Sequence, residues 1–541
     1  MSNSIIVNTK YGKVRGIKEK SKFPMREYFS FYGIPYGQPP VDDLRFKDPV
    51  KVTPWKSVRD CTTAREGCIQ FSLKFLTQMG SEDCLYVNVH IPELPVKDAA
   101  LKAVVVQLHP GGYLWSSPDP HHHGSPEFAM SCDVINVNIG FRLHVLGFLN
   151  LGIKECSGNQ GLKDIILALK WIQETISGFG GDPNNITLLG SSSGAALIHC
   201  LLLSPAAKNL FHKAVIMSGY LFNTVTLEQE TNFEEALLYC RMLGYEDENE
   251  SPRSLLAFLK DLSVDDFIGE KKEVYCRMGE NNYTIAYPCG KFSPSVDRKS
   301  RTPVLPKHPR ELIKSMNRVP IMVGNCQRES VMGFCKNRAE VTYRTYKTAF
   351  KQNCWSWSNG LTDQETDYVI KEIDSFYLKD VPKDNVPLSI KCDILDDAAY
   401  SDLYDTLIDA VSADLPDSAF VYSFEYVGEI NDMRGICSSL IDGHLEGSFH
   451  ADDFGYWTRM RDPITPQTKE VVLMFLKLVS SFAKTGNPNY EDMPEPWMSS
   501  TPENPCYLRI TDTLKLVPGR LNNDRALLWK NIKKTLHKDK I

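Results

Sequence analysis

The sequence predicts an α/β fold built on a largely parallel sheet. Two observations support this fold class. Short apolar runs of strand length alternate along the chain with segments of helical periodicity. Several of these runs, such as VVVQL, ITLL and AVIM, are almost continuously hydrophobic, as is typical of strands that helices cover on both faces.

The alternation can be followed element by element. A helix is predicted over residues 162–176, and residues 225–310 are more polar and only weakly periodic, which favours a mainly helical insertion over the sheet. No repeat, low-complexity tract or linker marks a boundary, so residues 1–541 are expected to form a single domain. The predicted strands are residues 103–108, 134–139, 186–189, 214–217 and 319–323.

Composition and charge exclude several classes of partner. The 541 residues include 61 Lys and Arg against 67 Asp and Glu, so neither nucleic acid nor an anionic membrane surface is an expected partner. The longest apolar stretches, 165–172 and 471–479, fall short of the roughly 20 residues that span a bilayer. The first residues contain no apolar core of the signal-peptide type, so a cytoplasmic protein is expected, or a secreted one if a leader was removed. The fifteen cysteines include no CxxC pair, which disfavours a zinc site.

A short motif supplies the candidate nucleophile. Residues 190–194 are Gly-Ser-Ser-Ser-Gly, a G-x-S-x-G motif between the predicted strand 186–189 and a helical run of small residues. In a nucleophile elbow, glycines flank the serine because the turn is strained and lies against neighbouring backbone. Ser192 occupies the centre of this motif. The alternative is a serine-rich helix start in which Ser191 or Ser193 only caps the helix.

A serine nucleophile requires a base, and His450 is the candidate. In folds with this elbow the acid and then the histidine follow the serine along the chain. His450 lies in a loop that opens into a predicted helix with two acids, Asp452 and Asp453, at its start. The competing downstream histidines are His308, His444 and His537.

Glu329 is the candidate acid. It follows the predicted strand 319–323, and a carboxylate just past the carboxyl end of a strand points into the crevice where ligands bind. On the sequence alone, Glu329 is equally compatible with a solvated loop residue that pairs with Arg328.

Backbone donors for an oxyanion are expected after the predicted strand 103–108. Residues 109–113 are His-Pro-Gly-Gly-Tyr, and paired glycines expose their N–H groups without side-chain cover. Gly111 and Gly112 would supply two donors, and the N–H of Ser193 would supply the third. Without the downstream elbow, this segment would be an unremarkable turn.

Together these motifs resemble the type-B carboxylesterase family, which includes cholinesterases and insect detoxifying esterases. The resemblance implies an α/β-hydrolase fold: a large, mostly parallel central sheet flanked by helices, with helical insertions over the active site. It extends over nearly the whole chain. The segments that carry it are residues 31–36, 39–40, 44–46, 81–88, 142–143, 146–149, 158–164, 179–183, 190–194, 217–219, 324–329 and 450–453.

The resemblance also implies roles for individual residues. It implies structural ion pairs of Arg45 with Glu82 and of Arg142 with Asp164, and a disulfide between Cys68 and Cys84, which would be unexpected in a reducing cytosol. No metal or cofactor is implied. The implied catalytic residues are Ser192, Glu329 and His450, and the implied oxyanion hole comprises Gly111, Gly112 and Ser193.

Three departures from the family pattern narrow the range of activities expected for this chain. Ser191 replaces the Glu that the family usually has before the nucleophile, Ser193 replaces an Ala, and Pro110 replaces the first Gly of the oxyanion stretch. The segment from Cys68 to Cys84 contains no Trp, so the cation–π platform of a cholinesterase is missing and that activity is rejected. Juvenile hormone esterases resemble this family but with Gln in the motif at the position of Ser191. Ser191 therefore also disfavours a juvenile hormone esterase.

The resemblance therefore implies a carboxylic ester hydrolase for small xenobiotic or lipid-like esters, with an acyl-enzyme on Ser192. Tyr220, which follows the predicted strand 214–217, is the main candidate for the wall of the acyl pocket, with Phe222 and Tyr113 as weaker ones; packing under the inserted helices is the alternative. The run 121–123, His-His-His, favours a polar loop over a zinc site because three adjacent loop residues cannot easily face one ion.

Other functions remain open on the sequence alone. They are a slow-turnover scavenger of toxic esters or organophosphates, a catalytically inactive adhesion-like homologue, and a neutral-lipid lipase. A small ester is the expected partner, and a weak homo-oligomer is left open.

Overall fold

A thirteen-stranded sheet forms the centre of the protein. The computed structural model describes residues 4–536 except 24, 73–76, 222–231, 269–291, 335–360, 384, 401–402, 442 and 459–463. The strands of the whole described chain, in the large sheet and outside it, are β1 (Ser4–Thr9), β2 (Gly12–Lys20), β3 (Glu27–Pro35), β4 (Arg59–Asp60), β5 (Gln70–Ser72), β6 (Thr77–Met79), β7 (Tyr86–Ile91), β8 (Lys102–Leu108), β9 (Ile135–Ile139), β10 (Asn150–Ile153), β11 (Cys156–Ser157), β12 (Gly181–Ser191), β13 (Lys213–Met217), β14 (Ile321–Cys326), β15 (Ala419–Phe424), β16 (Cys506–Ile510) and β17 (Leu514–Pro518).

The helices lie between and after the strands of this sheet. They are α1 (His144–Phe148), α2 (Gln160–Thr175), α3 (Ser193–Leu203), α4 (Phe233–Met242), α5 (Pro252–Asp261), α6 (Val264–Ile268), α7 (Pro309–Leu312), α8 (Asp363–Tyr377), α9 (Leu388–Tyr400), α10 (Leu403–Ser412), α11 (Asp432–Ser438), α12 (Gly455–Thr458), α13 (Pro466–Thr485) and α14 (Asn523–Thr535). None of these described helices is long and apolar enough to cross a membrane.

The interior of the sheet is parallel and its margins are antiparallel. The strand order is β1-β2-β3-β7-β9-β8-β12-β13-β14-β15-β16-β17, with β4 paired to β2. All neighbours from β9 to β16 in this order run parallel, whereas the pairs at both ends are antiparallel. The carboxyl ends of β8, β12 and β14 therefore meet at one edge of the sheet. The predicted α/β class with a mostly parallel sheet is confirmed.

Side chains of the interior strands alternate between two hydrophobic cores. Val104 and Val106 of β8 belong to the core that contains α2 and α3, whereas Val105 belongs to the core that contains α13. All three valines are inaccessible to solvent. Helices thus cover both faces of the sheet, which explains why these strands are apolar at consecutive positions.

The predicted strand 319–323 is displaced toward its carboxyl end. The observed strand β14 covers Ile321–Cys326, because its pairing with β15 continues through Asn325 and Cys326. The sequence did not predict that the strand continues past residue 323, because Asn325 is polar. Hydrophobic patterning alone cannot detect a polar residue inside a buried strand. Similarly, the predicted strand 186–189 is the central part of the longer β12.

Helices α4, α5 and α6 follow β13 within the segment for which the sequence predicts a helical insertion. Arg45 joins this segment to the body of the protein. Its Nη1 donates hydrogen bonds to the carbonyl oxygens of Leu262, at 2.7 Å, and Lys260, at 3.3 Å. Its Nε and Nη2 bind both carboxylate oxygens of Glu82 at 2.7 Å. The ion pair that the resemblance implies is therefore present and also fixes the end of α5.

The second implied ion pair, between Arg142 and Asp164, is almost completely buried. Arg142 Nε and Nη2 donate to the two carboxylate oxygens of Asp164 at 2.8 and 2.7 Å. We expect Asp164→Ala to lower the free energy of unfolding by about 3 to 5 kcal/mol, because it leaves a buried guanidinium without its counter-charge. Urea denaturation measures this loss. The matched control is Glu27→Ala, which removes the exposed Lys18–Glu27 pair and should cost about 1 kcal/mol or less; equal losses would contradict the prediction.

Candidate active site

Ser192 lies at a sharp turn between β12 and α3. Its φ and ψ are 55° and −125°, a strained conformation for a residue with a side chain. A Cβ on Gly194 would lie 2.4 Å from the carbonyl oxygen of Leu108, and one on Gly190 would lie 2.7 Å from the carbonyl carbon of Gly194. The close approach of these backbones therefore requires both glycines of the motif. The N–H of Ser192 donates to the carbonyl oxygen of Met217 at 2.9 Å, which ties the turn to β13.

The capping alternative is not what the structure shows. Ser192, the residue that precedes α3, makes no side-chain capping hydrogen bond. Ser191 is fully buried, and its hydroxyl contacts no hydrogen-bonding group among the described residues. The serine-rich segment thus forms an elbow instead of a capped helix start.

The imidazole of His450 lies between Ser192 and Glu329. Its Nε2 is 2.8 Å from the Ser192 Oγ, and its Nδ1 is 2.5 Å from the Glu329 Oε2. The other carboxylate oxygen of Glu329 accepts a hydrogen bond from the N–H of Cys326 at 2.7 Å. The structure thus brings together the three side chains that the sequence singles out. In this geometry the imidazole can accept the serine proton while the carboxylate holds the opposite ring nitrogen.

Arg328, the alternative partner of Glu329, binds elsewhere. Its Nη1 donates to the Asp393 Oδ1 at 2.6 Å. Glu329 is 3% exposed, so it is not a solvated loop residue.

The electrostatic environment favours the protonated form of His450. Burial alone lowers the pKa of an imidazole, but the negative charge of Glu329, its hydrogen bond and the nearby Asp453 outweigh burial and raise the pKa of His450. The carboxylate therefore stabilises the imidazolium that forms when Ser192 loses its proton.

Asp452 holds the loop that carries His450, a role that the sequence did not reveal. Its carboxylate accepts hydrogen bonds from the N–H groups of Phe449 at 2.7 Å and Met433 at 3.0 Å and from the side chain of Asn431 at 3.0 Å. The sequence placed Asp452 and Asp453 at the start of a helix, but α12 begins only at Gly455 and has four residues. A carboxylate that accepts N–H hydrogen bonds from its own loop and from residues 431–434 is a loop clamp, and sequence patterning does not distinguish it from a helix start.

The glycines after β8 adopt conformations that other residues rarely adopt. Gly111 and Gly112 have φ values of 124° and 61°. A Cβ on Gly111 would lie 2.0 Å from the carbonyl oxygen of Trp115, whereas one on Gly112 would meet no atom within 4 Å. The predicted third donor, Ser193, is the first residue of α3, where helical N–H groups have no partner within the helix.

The predicted pocket residues fall in different surroundings. Tyr220 is buried, and its ring lies 4.5 Å from that of His199 on α3. It follows Gly219, where a Cβ would lie 2.0 Å from the Ser192 carbonyl oxygen. Tyr113 is also buried and packs against Phe148. Phe222 lies outside the described residues.

Cys68 and Cys84 are both buried free thiols. Burial disfavours a thiolate at Cys68, but the neighbouring side chains of Cys84 and His144 outweigh burial and lower the pKa of Cys68 to about 6. The disulfide between Cys68 and Cys84 that the resemblance implies stays a prediction.

Two histidines of residues 121–123 lie within hydrogen-bond distance of serine hydroxyls. The Nδ1 of His123 lies 2.6 Å from the Ser116 Oγ, and that of His122 lies 3.2 Å from the Ser117 Oγ. Within the described ranges, no group of three or more His, Cys, Asp or Glu residues could hold a metal ion.

Comparisons with known proteins agree with this architecture. Esterase B1 of Culex pipiens is 29% identical over 458 residues, covering 84% of this chain and 82% of that protein. Juvenile hormone esterase of Tribolium castaneum is 30% identical, covering 94% and 88%. Two solved structures share the fold: juvenile hormone esterase from Manduca sexta with OTFP covalently attached (TM-score 0.80, 24% identity, 98% and 100% covered) and PNB esterase (TM-score 0.75, 27% identity, 97% and 99% covered).

The family model agrees with these relatives. The model described as the carboxylesterase family matches residues 3–529, almost the whole chain. The resemblance and the α/β-hydrolase fold expected from it are both confirmed. The chain belongs to the carboxylesterase family and is a carboxylic ester hydrolase.

Proposed function

We propose that Ser192, His450 and Glu329 hydrolyse small esters through an acyl-enzyme intermediate. The observation that carries this proposal is the continuous chain of contacts from the Ser192 hydroxyl through His450 to Glu329, with distances of 2.8 and 2.5 Å. An inactive homologue would not require this arrangement of side chains around a serine with a strained backbone.

Acylation begins when the Ser192 oxygen attacks the ester carbonyl carbon. His450 Nε2 accepts the serine proton, and the carbonyl π electrons move onto oxygen. The N–H groups of Gly111, Gly112 and Ser193 stabilise that oxyanion. The intermediate collapses when the bond to the alkoxy group breaks, and His450 donates its proton to the departing alcohol.

Deacylation repeats these steps with water. His450 takes a proton from the water as its oxygen attacks the acyl carbon. Collapse of the second tetrahedral intermediate breaks the bond to Ser192, whose oxygen recovers a proton from His450. Glu329 holds the imidazole through Nδ1 in both stages and stabilises the imidazolium. The products are an acid and an alcohol.

The surroundings of Ser192 favour neutral esters. Residue 191 is a buried serine, so it places no carboxylate beside the nucleophile to attract a cationic alcohol group. The buried aromatic residues Tyr220 and Tyr113 provide apolar surface near the elbow and the oxyanion glycines. We therefore assign small xenobiotic or lipid-like esters as the substrate class.

A burst assay tests the proposed function. Wild-type protein is mixed with p-nitrophenyl acetate, butyrate and octanoate, and the released p-nitrophenol is followed from the first milliseconds. We expect one equivalent of p-nitrophenol per protein followed by sustained turnover. A stoichiometric burst without turnover would instead favour the scavenger, and no burst would favour the inactive homologue. The chain-length profile measures the size of the acyl pocket.

The wall of the acyl pocket is tested by Tyr220→Gly. Because Tyr220 follows Gly219, which lies against the Ser192 backbone, removal of its ring should widen the pocket and favour branched acyl groups over acetyl by about tenfold or more, an effect of roughly 1.4 kcal/mol. The measurement is kcat/KM for matched acetyl and branched-acyl esters, corrected for active-site concentration. Tyr239→Phe, which only removes a buried hydroxyl bonded to the Phe267 carbonyl oxygen, is the control. Unchanged relative rates would contradict this assignment.

Other expectations from the sequence stay predictions. They are the single domain over residues 1–541 with a helical insertion at about 225–310, and the location, which is cytoplasmic or, if a leader was removed, secreted. A weak homo-oligomer is still open.

A further inference from the structure

The turn that carries Gly111 and Gly112 is anchored at its far end by Ser116. This residue is fully buried, and its φ of 92° is strained for a residue with a side chain. Its N–H donates to the Gln70 Oε1 at 2.5 Å, and its carbonyl oxygen accepts from the Gln70 Nε2 at 2.9 Å. Its hydroxyl lies 2.6 Å from the Nδ1 of His123. Each polar group of Ser116 is thus bonded.

The Gln70 side chain forms a clamp with one permitted orientation. Gln70 lies on β5, is 1% exposed, and also donates from Nε2 to the carbonyl oxygen of Cys68 at 2.9 Å. Rotation of the amide by 180° would place its oxygen against two carbonyl oxygens and its NH₂ group against an N–H. The amide therefore fixes both the position and the direction of the Ser116 backbone.

The clamp is directly connected to Gly111. The carbonyl oxygen of Gly111 accepts hydrogen bonds from the N–H groups of Leu114 at 3.0 Å and Trp115 at 3.2 Å, so residues 111–116 form one tight turn. A Cβ on Gly111 would also lie 3.2 Å from the Ser116 Cβ. A displacement of Ser116 therefore moves Gly111.

A second contact joins the same two segments. The carbonyl oxygen of Ile69, beside Gln70, lies 2.7 Å from the Nε2 of His144. The N–H of His144 donates to the carbonyl oxygen of Tyr113 at 2.7 Å. The segment 68–70 thus supports the middle of the turn through His144 and its end through Gln70.

We infer that Gln70 is a positioning residue for ester hydrolysis: through Ser116 it holds the Gly111 and Gly112 N–H groups where the oxyanion forms. This inference rests on the proposed role of those glycines. Preorganised donors stabilise the transition state because they need no reorganisation as charge develops, and loss of one donor costs about 10²- to 10³-fold in rate. If the donors are misplaced but not removed, the rate should fall by a smaller factor, about 10- to 100-fold.

Gln70→Ala is the primary test, with kcat expressed per Ser192 site titrated to its end point with an organophosphate. We expect kcat to fall about 10- to 100-fold with KM changed less than about threefold, because the donors act on the transition state. The inhibition constant of an aryl trifluoromethyl ketone, whose hemiketal oxyanion occupies the same hole, should rise by the same factor as kcat falls. Gln173→Ala is the matched control, since Gln173 donates one hydrogen bond to a backbone carbonyl at the surface.

Gln70→Glu provides a second variant of the same size. It keeps an acceptor for the Ser116 N–H but places a second buried carboxylate oxygen against the carbonyl oxygens of Cys68 and Ser116, so its kcat should fall at least as far as that of Gln70→Ala. Normal kcat per titrated site in both variants would overturn the inference, as would a loss of stability or of titratable sites without the parallel change in the ketone inhibition constant. Failure of the proposed function is distinguishable, because wild-type protein would then show neither turnover nor ketone inhibition.

Discussion

Ser192→Ala is expected to lower kcat by about 10⁶-fold. The substitution removes the oxygen that forms the proposed acyl-enzyme, while the oxyanion donors and the substrate pocket remain. The alanine keeps the backbone that β12, Met217 and the flanking glycines impose, so the fold should be unaffected. The measurement is steady-state hydrolysis of p-nitrophenyl butyrate, together with the burst amplitude, which should fall to zero.

The matched control for this prediction is Ser439→Ala. Ser439 is exposed, and its hydroxyl donates only to the Ile436 carbonyl oxygen within the end of a surface helix. This control should keep the full burst and full turnover. A Ser192→Ala protein that retained a stoichiometric burst would place the nucleophile elsewhere and would refute the proposed mechanism.

Glu329→Gln is expected to lower kcat by about 10⁴-fold with little change in the fold. Glu329 uses its two oxygens as acceptors, one from the Cys326 N–H and one from His450 Nδ1. A glutamine has a single oxygen, and if this oxygen keeps the bond to Cys326, its NH₂ group must face His450. The imidazole proton then moves to Nε2, which can no longer accept the proton of Ser192.

Glu329→Gln should also change the pH dependence of ester hydrolysis. In the wild type, Glu329 raises the pKa of His450, and hydrolysis requires the neutral imidazole. Activity should therefore be lost as the pH falls through a pKa above the ordinary value of about 6.5. Without the carboxylate the pKa of His450 falls, so the acid limb of kcat/KM should move to lower pH.

The control for Glu329→Gln is Glu93→Gln, which alters an exposed pair with Lys102. It should leave kcat and the pH profile unchanged. An acid limb at the same pH in wild type and Glu329→Gln would show that Glu329 does not control the protonation of His450.

The sequence determined the local geometry of the nucleophile. A strand, a glycine-flanked serine and a helix of small residues form an elbow, because the close backbone contacts at Gly190 and Gly194 leave no space for a side chain. Chain order then indicated Glu329 and His450, although Glu329 could be separated from a solvated loop residue only by the family resemblance. The alternation of apolar strands and helices was sufficient to predict the fold class. Strands that are buried on both faces of a sheet are apolar at consecutive positions, and this pattern is visible in the sequence.

Only the tertiary structure decided which distant residues meet. His450 and Ser192 are 258 positions apart, and Gln70 and Ser116 are 46 apart. Asp452 appeared to begin a helix, yet it clamps the His450 loop. Gln70 carried no signal in the sequence, because a buried amide that binds backbone groups has no periodicity or motif. Patterns along the chain record burial and local turns, whereas the partners of polar side chains depend on how strands far apart in sequence are ordered in the sheet.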